Sequence, residues 1–506
     1  MYVKCVSCAA IIALIACLHI GCSTTPHAVT DKADLTRPLM TGPIRVLTND
    51  GTIYAFTEYD VVSNDTIHGI GRIEGLGEDV EVFLNFDSVA YVEARSSNLG
   101  RGILVTGFAA AFLWIGNEYM SGLNVVEVHP THSCPSIYTT DEEATYFESE
   151  TFAGSVFRGA ERVTVDRLTH LRPVNNQYKL ELRNERAETD YVDELSLLAV
   201  YGPPGAHVVA DWWGDLHTLA EPVEPLWCEP LAGGDVLSDV SLEDGVYWEG
   251  SPSPPGVGEV KATRDGIILG FRKPAGATSA KIVITGVNSD LLVFAYDQLL
   301  SLKGRNALPW LYQLERDSSE AAKLVGFMIR EGMLHLHVWT GTQWEERALF
   351  PDVGPALAKE QVAVVPIADI RSDTLKVKLE STSGLWRIDR VACDFSDDAA
   401  LQVREIPPQS AIDKSGRNIT HLLTSSDGRY CVTLPGEGAT VLFDQPPSLQ
   451  GREPVVFVKV RGYYHAWLPS DEPEQVGETD RVLLEPGYGP RMYLGKWRKE
   501  GSQSPR

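Results

Sequence analysis

A chain of 506 residues, 43% hydrophobic and 22% charged, has material for several hydrophobic cores and is too long for one. Its 69 acidic against 44 basic side chains give a formal net charge of −25. A surface that acidic repels phosphate backbones and excludes nucleic acid as the expected partner; it suits solubility in an extracytoplasmic space, or attraction of Ca²⁺ or a basic partner.

The N-terminus carries the clearest signal. Lys4 precedes an apolar run over residues 6–20, short for a bilayer span and of the length of a signal-peptide hydrophobic region. The run leads into Gly21-Cys22 and the polar Ser23-Thr24-Thr25-Pro26, which resembles a bacterial lipobox with acylation at Cys22. Leu14-Ile15-Ala16-Cys17 offers Cys17 as the second choice, and a plain secretory signal or an uncleaved anchor is the third reading. All three export the chain, and the first two make a bilayer its partner through an acyl anchor. Beyond this region only Cys134, Cys228, Cys393 and Cys431 remain, without a Cys-x-x-Cys pair. In an oxidising compartment they form up to two disulfides, or they stand as isolated buried thiols.

In chain order, residues 1–21 read as the signal peptide and 22–42 as a polar tether. Residues 43–100 hold five short β-like runs, with Asn49-Asp50-Gly51 as a hairpin signal between the first two, and suggest a small SH3- or Sm-like barrel. Residues 101–117 follow; the uncharged run 102–116 within them is a membrane-dipping segment or, more in keeping with its length, a buried element. A central β domain is expected over 130–222, with Tyr178-Lys179-Leu180-Glu181-Leu182 alternating as a strand and Tyr201-Gly202-Pro203-Pro204-Gly205 as a turn. The Pro- and Gly-rich span 223–258 marks a linker. A sandwich-like domain over 259–397 contains a helical insert, in which Asp317 or Ser318 caps a helix that Gly332 ends. A β-rich region at 398–495 and a disordered tail at 496–506 complete the chain. The expected fold class is mainly β: the small barrel, then β-sandwich domains of galactose-binding-like type with a few helices.

Three sets of residues invite chemistry. Asn184, Glu185, Glu188, Asp190, Asp193 and Glu194 crowd hard oxygens into what reads as a loop, and Asp190, Asp193 and Glu194 are candidate Ca²⁺ ligands, against a solvated charged turn. His335 and His337 flank Leu336 in a strand-like run and share a face, the beginning of a metal site that lacks an adjacent third ligand. Trp212 with Trp213, and Trp339 with Trp344, are candidates for stacking on a ligand, against the commoner fate of core tryptophans. No Gly-x-Ser-x-Gly, His-Glu-x-x-His or Gly-x-x-x-x-Gly-Lys pattern occurs, so no catalytic residues and no cofactor are assigned.

Three groups of residues carry a family resemblance: Cys134-Pro135 with Tyr138, residues 147–154 and Arg158-Gly159-Ala160-Glu161-Arg162; residues 170–173 with Asn184-Glu185, Glu188-Thr189 and Tyr191; and Val338-Trp339, Gly341, Trp344, Gly354-Pro355, Asp373-Thr374-Leu375 with residues 386–391. Over residues 134–396 the chain resembles a family of bacterial envelope proteins, mostly predicted lipoproteins, for which no activity is implied. The resemblance implies no histidines at the positions of His335 and His337. The expectation is an exported, membrane-anchored envelope protein, placed in the outer membrane if the host is Gram-negative, that binds a glycan or an envelope protein without catalysis. The alternative is an extracytoplasmic hydrolase acting on carbohydrate, with a site built from distant loops.

Overall fold

The computed structural model describes residues 25–28, 44–48, 53–62, 66–73, 79–85, 89–96, 135–140, 144–250, 263–449, 451–467 and 472–501. Cys17, Cys22, Cys134 and the apolar run 102–116 lie outside them. The chain divides into two compact units, residues 1–128 and 129–506, and among the described residues no helix is long and apolar enough to cross a membrane.

In the first unit the five expected runs are strands, Ile44–Thr48, Ile53–Val62, Thr66–Ile73, Asp79–Asn85 and Val89–Ser96. A sixth strand, Thr25–Ala28, lies in what reads as tether and pairs antiparallel with Val89–Ser96, Thr25 opposite Ser96. Four residues with no apolar periodicity are invisible as a strand; they pair here because the edge of Val89–Ser96 offers a free ladder of backbone groups. The sheet runs in the order Thr25–Ala28, Val89–Ser96, Ile44–Thr48, Ile53–Val62, Thr66–Ile73, Asp79–Asn85. Ile44, Val46, Phe56, Ile67, Val82 and Leu84 form its buried face.

Two sandwiches make up the second unit, and all of their strand pairs are antiparallel. One sheet of the first sandwich orders Ser410–Asp413, Gly438–Asp444, Gln177–Arg183, Ser136–Thr140 and Thr145–Glu150; the other orders Gln402–Ile406, Glu188–Tyr201, Val455–Ala466 and Arg162–Arg167, with Cys431–Thr433 also on Glu188–Tyr201. The long central pair runs from Glu188 opposite Ala466 to Val200 opposite Val455. Leu180, Leu182, Val441 and Phe443 from one sheet meet Leu195, Leu197, Val458 and Val460 from the other in one buried cluster. Residues 398–495 are therefore no separate region, since their strands complete the central domain across some two hundred residues of sequence. Strand pairing at that separation leaves no mark in local periodicity.

The second sandwich lies between those halves. Its sheets order Trp227–Pro230, Arg264–Arg272, Thr374–Thr382, Leu334–Trp339, Trp344–Phe350 and Trp248–Glu249, Trp386–Asp394, Ser279–Asn288, Lys359–Pro366. The supposed linker thus supplies two strands and the short helix α1 (Leu237–Ser241). Pro and Gly there punctuate short elements and do not separate domains.

The helical insert folds as α2 (Asp290–Lys303), α3 (Ala307–Leu314) and α4 (Ser318–Phe327), after which a π-turn over Met328–Gly332 leads into the next strand. The Asp317 carboxylate accepts the backbone N–H groups of Ser319 and Glu320 at 3.0 and 3.1 Å, so it is the N-cap. Asp317→Ala is expected to cost about 1 kcal/mol in denaturant unfolding, while Ser318→Ala changes little; equal losses for the two would refute the assignment.

The C-terminus continues as α5 (Val476–Leu484) and α6 (Tyr488–Gly501), where a disordered tail is expected from residue 496. Tyr493 and Leu494 are buried, and Trp497 meets Phe294 of α2 edge-on with ring centroids 5.1 Å apart. An apolar stripe docked on the insert orders residues whose composition reads as polar tail.

The two sandwiches meet where residues 147–162 face residues 350–356. Phe152, buried with φ +34°, turns the chain there. Arg162 donates to the Asp352 carbonyl at 2.7 Å, Tyr296 donates to the Asp352 carboxylate at 2.9 Å, and buried Glu150 accepts the Ala356 N–H at 3.0 Å. Residues 147–154 and 158–162 of the first group of the family resemblance meet Gly354-Pro355 of the third group at this junction.

Candidate functional site

In the five-stranded sheet of the second sandwich, Leu336, Val338, Val377, Leu379, Ile267 and Leu269 point into the core. Period-two alternation sends their neighbours to the opposite face. Register then aligns that outer face into rows across the strands. Trp227 opposes Gly270, which opposes Lys376; Val338 opposite Val377 places Trp339 beside Lys376, and Trp339 opposes Trp344. The row Trp227, Gly270, Lys376, Trp339, Trp344 crosses five strands, a distance of ~19 Å at the usual strand spacing. Trp339 and Trp344 meet at 61° with centroids 5.4 Å apart, forming an angular slot. Gly270 leaves room for the Trp227 indole to lie over the sheet, since a Cβ there would come within 2.4 Å of its ring. Lys376 and Lys378 stand 6.0 and 5.8 Å from the Trp227 and Trp344 ring centroids. All three tryptophans are partly exposed.

The next row sets Lys378 opposite His337 and His337 opposite Glu346. His335 Nδ1 is 2.7 Å from Glu346 Oε2, and its Nε2 is 3.0 Å from the Ile329 carbonyl oxygen at the π-turn. One ligating atom from each of His335, His337 and Glu346 falls within 4.8 Å of the others. Burial first, and the Lys378 ammonium second, hold the His337 imidazole below its ordinary pKa, so it is neutral at pH 7. Lys378 is itself paired with Glu380 at 2.5 Å. The third ligand that the sequence lacks beside the histidines comes from across the hairpin, on a strand, Trp344–Phe350, with no clear alternation of its own. Trp227 was equally hidden, in a segment that reads as linker.

Trp212 and Trp213 sit at the tip of a separate hairpin, His207–Ala210 with Leu216–Leu219. Asp211 fixes that tip by accepting the N–H groups of Trp213 and Asp215 at 2.8 and 2.9 Å. The two indoles stack at 5.0 Å and 15°, each occupying one face of the other, and Trp213 is 75% exposed.

Asp190, Asp193 and Glu194 do not converge. They lie on the strand Glu188–Tyr201, where a loop is expected. Asp190 is fully buried, and desolvation with the adjoining Glu188 carboxyl raises its pKa well above the ordinary range, which disfavours the ionised form that a hard cation needs. Asp193 accepts Ser426 Oγ–H at 2.6 Å and Gly428 N–H at 2.8 Å. Glu194 pairs with Lys459 at 3.3 Å. These acids are distributed to separate partners, and that is how a strand so charged is buried.

Tyr191, next to Asp190, points to the opposite face of the sheet, and that face carries a closed aromatic chamber. His465, fully buried, is ringed by Tyr312, Tyr191 and Tyr463 at 4.6, 5.2 and 5.4 Å. Neither ring nitrogen has a hydrogen-bond partner, and Glu315 stands 3.9 Å away. Burial drives the His465 pKa down to about 3. Tyr312 and Glu315 come from α3 and its end, so the insert closes this chamber over the first sandwich. Cys228, Cys393 and Cys431 are free, buried thiols; burial pushes Cys228 and Cys431 up to about 12, which leaves them inert at neutral pH.

A cavity of about 10 Å³ lies under the insert, lined by Leu292, Tyr296, Phe327, Glu331 and Tyr493 among others; it has room for one water and none for a sugar. Compared with the models of known protein families and with curated proteins, the chain matches none.

Proposed function

We propose that the protein is an exported, lipid-anchored envelope protein that binds glycan without catalysis, and that the outer face of the second sandwich is the binding surface. The observation that carries this is the row Trp227, Lys376, Trp339 and Trp344 on a sheet face that leaves all three indoles partly exposed. Indole faces supply apolar area for the C–H faces of sugar rings, while Lys376, Lys378 and Glu346 supply donors and acceptors for hydroxyls. A row that crosses the strands suits an extended ligand.

A glycan array probed with the soluble body of the protein tests this. Trp339→Ala and Trp344→Ala are each expected to weaken the best ligand by about tenfold or more, the loss usual for a central aromatic anchor. No binding on the array, or binding indifferent to both changes, defeats the proposal. Turnover of the bound glycan would select the hydrolase alternative. The anchor is tested separately, by intact mass of detergent-extracted protein from its native host: an acylated chain beginning at Cys22 supports it, and an unlipidated soluble chain removes it.

The exposed Trp212–Trp213 tip favours a second reading, docking of an envelope protein. A rigid turn presenting an indole to solvent has the features of a protein-contact anchor.

A further inference from the structure

We propose that His335, His337 and Glu346 form a binding site for one divalent transition-metal ion of the zinc class. Two imidazoles and one carboxylate are a donor set of borderline softness, suited to Zn²⁺ and its neighbours and poorly to Ca²⁺ or Mg²⁺, which demand oxygen. Strand geometry supplies the convergence: His335 and His337 share a face two residues apart, and Glu346 opposes His337 in register.

The hydrogen bonds of His335 point the same way. The Ile329 carbonyl can only accept, so the 3.0 Å contact requires a proton on His335 Nε2. In the neutral ring Nδ1 then carries a lone pair, and it faces a second acceptor, Glu346 Oε2, at 2.7 Å. Two acceptors at that distance need a positive charge between them, a proton or a metal ion. A ring that donates one N–H to a backbone carbonyl, leaving the lone pair of the other nitrogen for an ion, is the arrangement that orients metal-bound histidines. Ligand bonds of about 2.0–2.1 Å imply ligand atoms ~3.3 Å apart, so Glu346, an exposed side chain, swings slightly outward from His335, and the three ligand atoms, now within 4.8 Å of one another, draw together. Lys378 nearby sets a positive charge against a bound cation, offset in part by Glu380, which pairs with it at 2.5 Å and also with Arg264 at 3.3 Å, and by the Glu346 carboxylate itself. The exposed Glu346 side leaves further coordination positions open to solvent, beside the tryptophan row.

The test is Zn²⁺ titration of metal-stripped full-length protein against a chromophoric chelator, with His337→Gln and Glu346→Gln as variants. Both positions are solvent-accessible, so folding should survive, and circular dichroism checks it. The proposal expects one tight Zn²⁺ per chain, weakened by about tenfold or more in each variant, and undisturbed by millimolar Ca²⁺. Absence of stoichiometric binding overturns it, as does binding equal in wild type and both variants, or displacement by Ca²⁺; the contact would then be a protonated His335 paired with Glu346. A silent glycan array leaves this outcome untouched, since the metal is read directly.

Discussion

Replacing Gly354 with alanine is expected to destabilise the second unit by about 3 kcal/mol or more, because steric strain and overpacking add at one atom. Gly354 has φ +85°, a conformation that costs an L-residue roughly 1–2 kcal/mol. A Cβ there would sit 2.1 Å from Cδ and Oε2 of Glu150 and 2.4 Å from Oε1. Glu150 cannot easily retreat, since it is fully buried and its Oε2 accepts the Ala356 N–H at 3.0 Å. Gly354 is also tied to Asn288, donating to its side-chain oxygen at 3.1 Å and accepting its N–H at 3.0 Å. Strain at this residue therefore reaches both sandwiches. Chemical denaturation of Gly354→Ala, alone and with Glu150→Ala, separates the causes: the double variant should recover the overpacking part and keep the backbone part. A loss below about 1 kcal/mol in the single variant would show that the junction yields where it is read here as rigid.

The second large effect is on acid stability. His465 has its pKa lowered to about 3 by burial, against 6.5 when exposed. Below pH 6.5 the unfolded chain binds a proton that the folded chain refuses, so stability falls as pH falls, by about 1.4 kcal/mol per unit. Between pH 6.5 and 3 this amounts to ~4 kcal/mol from one side chain. Tyr191, Tyr312 and Tyr463 face the ring as neutral groups, and Glu315, 3.9 Å away, has its own pKa raised by burial, so at the acid end of this range it is protonated and offers the imidazolium no negative charge.

Asp352 works in the opposite sense. Burial raises it to about 6, so the stability it contributes is present below the unfolded carboxylate pKa and is lost as pH rises through 6. The difference between wild type and His465→Phe cancels Asp352 and isolates the histidine. Phenylalanine should be neutral or stabilising by about 1 kcal/mol at pH 7, since it removes two unpaired nitrogens, and its advantage should grow steadily on acidification. A difference that stays flat with pH would mean that His465 is protonated or hydrated in the folded protein.

Much of the fold is legible locally. A cap at Asp317 or Ser318 can be named because cap-forming residues precede a run of helix formers, and the structure assigns it to Asp317; residues 373–379 alternate because one face of that strand is core and the other is not. What escapes is long-range. Nothing near His337 announces Glu346, because the pairing that joins them also depends on a register shift between Leu336 and His337. The acids of residues 188–194 mislead for a chemical reason: clustered charge predicts solvent, yet Asp190 is buried with its pKa raised and accepts the Thr433 hydroxyl at 3.3 Å, and Asp193 is buried by accepting backbone and hydroxyl donors. The tryptophans divide the same way. Trp339 and Trp344 stand out by their spacing across a Thr-Gly-Thr-Gln turn, whereas Trp227 joins them only through Gly270.

The interrupted first sandwich sets a timetable for synthesis. Strand Glu188–Tyr201 has its long partner at Val455–Ala466, so it emerges far ahead of the strand that covers it. At ordinary elongation rates of about 5–20 residues per second that wait is on the order of ten to fifty seconds. Within it the second sandwich, whose strands span residues 227–394, can close completely. The nascent chain then holds a finished middle between two unfinished halves, with bare strand edges exposed to aggregation. The length of the inserted domain is thus a kinetic quantity: each residue added to it prolongs the interval in which the outer sandwich has only half its strands.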